Sequence, residues 1–143
     1  MLNFDDPHAR ACLRFGWTAL AAFLLLGLCL EFLHLVKAPW YLDVRIRREL
    51  WVLAHAHGTL LGALNLLFAV TATACLPLER KRKLASLMLR IGSLLVPFGF
   101  LLGGIGNTES DPSLAIALTP IGALMVLHAF SVTAVGAWRI GKS

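Results

Sequence analysis

The sequence predicts an all-α fold, a bundle of four transmembrane helices in one domain over residues 1–143, and three observations predict it. Composition is the first: 58% of residues are hydrophobic, 15% are charged and mean hydropathy is +0.76, far from a soluble globular chain. Run length is the second, because four apolar stretches each reach the roughly 20 residues that cross a hydrocarbon core. The third is the placing of charge, which gathers at the ends of those stretches. A net charge of +5 spread in that way serves topology and lipid headgroups, and no separate basic domain is left for nucleic acid.

Residues 1–14 form an exposed head before span one, at about 15–36. Acids precede the basic residues there and no small-residue cleavage site follows the apolar run, so the span is expected to persist rather than leave as a signal peptide. Glu31 and His34 interrupt its far end, and Lys37, Trp40 and Tyr41 fit an interfacial belt. The connector carries DVRIRRE, expected as a short surface helix. Span two covers about 50–76 and stops at Pro77.

The basic turn LERKRK leads to span three, at about 84–105, where Gly92, Gly99, Gly103 and Gly106 fall near one line. Such a stripe admits another helix or a flat cofactor. Pro97 should kink this span, because proline removes a backbone donor and crowds the preceding turn. GNTESDPS is expected as a loop in which Asp111 or Ser113 caps span four, at about 113–138, with a second kink at Pro120. Cys12, Cys29 and Cys75 form no CxxC pair and behave as small buried apolar residues.

Four spans place both termini on one side. Of the thirteen Lys and Arg, nine lie on that side (Arg10, Arg14, Arg80, Lys81, Arg82, Lys83, Arg90, Arg139 and Lys142). The positive-inside rule makes it cytoplasmic and the protein a multi-pass resident of the inner (plasma) membrane.

Chemistry centres on span two, LWVLAHAHGTLLGALNLLFAVTAT, since ionisable residues within a span are functional candidates by default. At about 100° per residue His55 and His57 lie on different faces. His55 shares its face with Gly58, Thr59, Gly62, Asn65, Ala69 and Thr73, a small and polar surface that should point into the bundle. His57 lies among Leu60, Leu61, Leu64 and Phe68, a greasy face for lipid or a neighbouring protein. Helical rise sets Glu31, His34 and His55 at one level near the outer face, below Glu49, Glu109 and Asp111, with His128 about 22 Å deep in span four.

Three readings follow. In the first, His34 and His55 ligate haem b or a transition metal for electron transfer or metal handling, Gly99 and Gly103 floor the cofactor, and Glu31, His57 and His128 are further metal candidates. Glu31-x-x-His34 has the di-iron spacing but occurs once, where di-iron bundles use it twice. In the second, Glu31, His34 and His55 line a proton or small-substrate pathway, their pKa values moved by burial. In the third, Glu31 and His34 bond each other or Arg47 and Arg48, and His55 bonds Asn65 or a carbonyl. The chain is then a non-enzymatic accessory or scaffold subunit, in a homo-oligomer or a larger membrane complex. Asn65, Thr71, Thr73, Ser93, Thr119 and Ser131 are expected as interhelical glue before catalysis. No G-x-S-x-G, phosphate-binding glycine loop or HExxH occurs, which disfavours an orthodox hydrolase or nucleotide enzyme and leaves catalytic residues unassigned.

AHAHGTLLG and VPFGFLLGGIGN resemble fragments of haem-copper oxidase subunit one and its nitric-oxide-reductase relatives. That resemblance implies His57 as a low-spin haem ligand, although here the two fragments lie on different spans. As a whole the chain is similar to small uncharacterised four-span bacterial membrane proteins whose second span opens with AHAHG, a likeness that implies a class without an activity. Comparison with the membrane-associated eicosanoid and glutathione metabolism family fails at its Asn-x-x-Glu, since Asn65 is followed by Leu66, Leu67 and Phe68.

Overall fold

A computed structural model describes residues 5–106 and 111–141. Helices α1 (Pro7–Leu35), α2 (Pro39–Leu42), α3 (Arg45–Cys75) and α4 (Glu79–Gly103) are followed by a 3₁₀ turn (Leu114–Ala117) that runs into α5 (Leu118–Ala137). No strand occurs among the described residues. Helices α1, α3, α4 and the Leu114–Ala137 unit are long and apolar enough to cross a membrane, as the sequence predicts. The chain is a multi-pass membrane protein whose outer helix faces are suited to lipid.

The helices extend beyond the apolar runs because the charged flanks also favour helix. Asp6 caps α1, accepting from the Ala9 N–H at 2.8 Å, with Pro7 in the first turn. RIRRE becomes the opening of α3, where Arg45 and Glu49 pair one turn apart at 2.6 Å. The short surface helix is α2 instead. ERKRK likewise opens α4, with Glu79 in its first turn, where the helix dipole favours an acid.

Neither proline breaks a helix. Helix α4 is continuous through Pro97, and the neighbouring Val96 carbonyl accepts from Thr119 Oγ1 at 3.4 Å. Pro120 is the third residue of α5, just past the 3₁₀ turn, where backbone donors lack helical partners anyway. Ser113 precedes the 3₁₀ turn without capping it. Its N–H reaches the Gly103 carbonyl at 2.9 Å and its hydroxyl the Leu102 carbonyl at 3.0 Å, so the incoming chain is tied to the end of α4.

Helix α1 packs chiefly on α3, α5 chiefly on α4, and α3 against α4 joins the two pairs. Glycine allows both close approaches. A Cβ on Gly16 of α1 would stand 2.8 Å from the Gly62 carbonyl of α3, and one on Gly92 of α4 would stand 2.6 Å from the Gly122 carbonyl of α5. Span four therefore fills the glycine stripe at Gly92, Gly99 and Gly103, Gly99 lying against Thr119 and Gly103 against Ile116, whereas Gly106 lies past the end of α4, at φ 64°, with no atom near the position of a Cβ. At the LERKRK end all four long helices meet through Cys12, Phe68, Leu89 and Ala129, whereas at the other end Leu30, Ala38 and Tyr41 form a smaller core.

Candidate functional site

His55 projects from α3 onto α1, where Gly27 leaves room for the ring and the Phe23 carbonyl meets Nδ1 at 2.7 Å. A carbonyl only accepts, so Nδ1 carries the proton in this bond. Gly58, Gly62, Asn65 and Ala69 on the same face are all buried, which bears out the inward direction read from helical periodicity. The partner glycine, Gly27, sits in the apolar run LLLGLCL, where its only sequence signal is a small residue opposite an inward histidine.

Glu31, His34 and His55 do not share a level. His55 meets α1 at Phe23 and Gly27, and Gly27 lies about 10 Å along the helix from His34 and about 6 Å from Glu31. The cause is the start of α3 at Arg45, which puts His55 ten residues into its helix rather than near an outer end. His34 instead turns back on its own helix, Nδ1 donating to the Leu30 carbonyl at 3.0 Å. Its ring stands edge-on to Tyr41 at 5.1 Å between centroids. Glu31 is exposed. Arg47 donates to the carbonyls of Gly104 and Trp40, and Arg48 to that of Leu42, so neither arginine pairs with Glu31.

Tyr41 centres an aromatic cluster at this end. It is fully buried, stacked on Trp51 at 5.9 Å, with Trp40 at 6.3 Å, and its hydroxyl finds no hydrogen-bond partner among the described residues. Burial pushes the phenol pKa up, with the Arg48 guanidinium opposing in part. Trp51 Nε1–H donates to the Leu101 carbonyl at 3.0 Å, clamping α3 to the end of α4. Asp111 is exposed, Glu49 is engaged by Arg45, and Glu109 lies outside the described residues.

His57 lies against α4, not on a free greasy face. Its ring is 5.0 Å from that of Phe100, Nδ1 donates to the Leu53 carbonyl at 2.9 Å, and of its expected neighbours Leu61 and Phe68 are buried. His128 is exposed midway along α5, in a groove that also holds Lys81 and Arg139. Five histidines thus occupy separate surroundings, His8 pairing with Glu79 at 3.8 Å. Among the described residues no three of His, Cys, Asp and Glu come together as a metal-binding group.

Of the expected polar glue, Asn65, Ser93 and Thr119 bond across helices, whereas the Thr73 and Ser131 side chains make no hydrogen bond among the described residues. Asn65 Nδ2 donates to Ser93 Oγ and to the Leu61 carbonyl, both at 2.8 Å, in a fully buried contact between α3 and α4. Thr71 bonds the carbonyl one turn back in its own helix. At the LERKRK end Asp6 and Arg82 form an ion pair at 3.1 Å, with side chains 8% and 14% exposed. Burial acts to raise the Asp6 pKa, but the Ala9 N–H and the Arg82 guanidinium outweigh it and hold the carboxyl below its usual value. No family model, curated protein or solved structure matches the chain.

Proposed function

We propose that the protein is a non-enzymatic accessory subunit of the inner (plasma) membrane, a scaffold that packs against a partner's membrane helix, with both termini cytoplasmic. One observation carries the reading. Ala56, Leu60, Ala63, Leu67, Val70 and Ala74 form an exposed seam along α3, between its contacts with α1 and α4. Lipid needs only apolar surface, whereas small residues interspersed with large ones at spacings of four and three suit knobs-into-holes contact with another helix. A second copy is the simplest occupant, because such a seam complements itself across a two-fold axis. The inward polar groups support the same role, His55, Trp51 and Asn65 each joining one helix to another. The nine-to-four division of Lys and Arg supports the orientation.

The test is a photo-crosslinking residue at Ala63 in native membranes, with Leu124 of α5 as control. A discrete dimer band from position 63 alone, abolished by Leu60→Trp, is expected. A crosslink to a different membrane protein that Leu60→Trp also abolishes moves the contact to a larger complex. Lipid adducts alone, with a monomer by native mass spectrometry, overturn the scaffold reading.

The haem or metal reading keeps one specific support, the bond from His55 Nδ1 to the Phe23 carbonyl. A ligating imidazole commonly donates its other N–H to such an acceptor, leaving Nε2 for iron. Gly99 and Gly103 lend no floor, being covered by span four. An absorption spectrum of the protein as isolated decides: a Soret band lost in His55→Ala favours haem, and no band with no stoichiometric metal removes it.

A further inference from the structure

At the LERKRK end a groove of about 770 Å³ opens among the end of α3, the start of α4 and the last three turns of α5. That volume falls within the roughly 300–1,000 Å³ of small-molecule sites. At its floor Gly136 lies on the Cys75 carbonyl, where a Cβ would collide, so the last turn of α5 meets the end of α3. The walls are mainly apolar, with Leu76, Leu84, Val132 and Val135 among them, and Lys81 and Arg139 line the mouth.

The charges at this end are not balanced. Asp6 is engaged by Arg82, and Glu79 by His8. The Lys81 and Arg139 side chains have neither a hydrogen bond nor an ion pair among the described residues. Two unmatched cations above an apolar trough call for an anion with a hydrocarbon tail. Depth agrees: Arg139, two residues past the end of α5, lies eleven residues beyond His128, about 16 Å at the helical rise, and both line the groove. That is about half of a ~30 Å hydrocarbon core, the depth of one leaflet.

We infer that this groove binds one anionic phospholipid, its phosphate held by Lys81 and Arg139 and one acyl chain lying along Val132 and Val135 toward His128. Basic pockets between transmembrane helices hold acidic lipid headgroups in this way. The trough gives the tail a fixed place, which separates this site from the general attraction of a basic membrane surface.

Native mass spectrometry of the detergent-purified full chain, titrated with dioleoylphosphatidylglycerol or dioleoylphosphatidylcholine, tests the inference. A single phosphatidylglycerol adduct, preferred at least tenfold over phosphatidylcholine, is expected. Lys81→Gln with Arg139→Gln should weaken it at least tenfold, Val135→Trp should block it by filling the trough without changing charge, and Arg80→Gln with Lys83→Gln should leave it unchanged. Wild-type elution and helicity are required of each variant, and Val135→Trp keeps the test open if the charge variant fails to fold. Equal affinity for the two lipids, equal loss in the Arg80/Lys83 control, or displacement of phosphatidylglycerol by millimolar inorganic phosphate overturns the site. A Soret band that depends on His128 also overturns it, by placing a haem in the groove.

Discussion

Single side chains show how closely the helices meet. The His55 ring lies where a Cβ on Gly27 would go, so Gly27→Ala must push the imidazole from its 2.7 Å bond to Phe23. Overpacking of this kind costs about 1–3 kcal/mol, and steric-trap unfolding in bicelles should register a loss in that range. Tyr41 gives the opposite case. Its buried hydroxyl has no partner among the described residues, so Tyr41→Phe should be neutral or should stabilise by up to about 1 kcal/mol, read as an unchanged or raised Tm. Asp6→Ala removes both the cap of α1 and the anion facing Arg82, with an expected loss of about 2–4 kcal/mol. Because the folded pKa lies below the ordinary 3.8, this support is complete above that value and is lost as pH falls through the lower folded pKa. A wild-type Tm that declines below about pH 4, against a flat profile for Asp6→Ala, checks the sign.

At the level of elements, hydropathy located every crossing but not the ends of the helices. Residues that avoid the hydrocarbon core still make good helix, so RIRRE and ERKRK extend α3 and α4 past their apolar runs. The five-residue difference at the start of α3 moved His55 inward and separated it from His34. The face that His55 occupies was legible, because periodicity fixes rotation about the helix axis; its depth was not, because depth depends on where the helix begins. The Asn65–Ser93 contact was legible as glue, since a buried amide in a span needs a partner. Its partner was not, since the pairing of α3 with α4 is tertiary. Asn65→Ala should cost about 0.5–2 kcal/mol, the usual range for such bonds in bilayers, and Ser93→Ala in the same background should add little in a double-mutant cycle.

On the scale of the whole molecule the bundle is two hairpins, α1 with α3 and α4 with α5, side by side. The aromatic cluster, with Trp51 and Arg47 reaching the end of α4, fastens one edge of the join. Asp6 with Arg82 fastens the other. The exposed seam of α3 and the groove beside α5 adjoin at Ala74, which belongs to both, so a neighbour seated along the whole seam would reach the edge of the groove.

That pairwise architecture has a bearing on biogenesis. The first hairpin is complete by Cys75, before the second has been synthesised, and each half carries its own internal packing into the bilayer. Two polypeptides divided at Pro77 and made in the same cell should consequently find each other and rebuild the bundle, Asn65 and Ser93 serving as the recognition pair. Recovery of both fragments through a tag on one, diminished by Asn65→Leu, would show that assembly proceeds by docking of preformed halves.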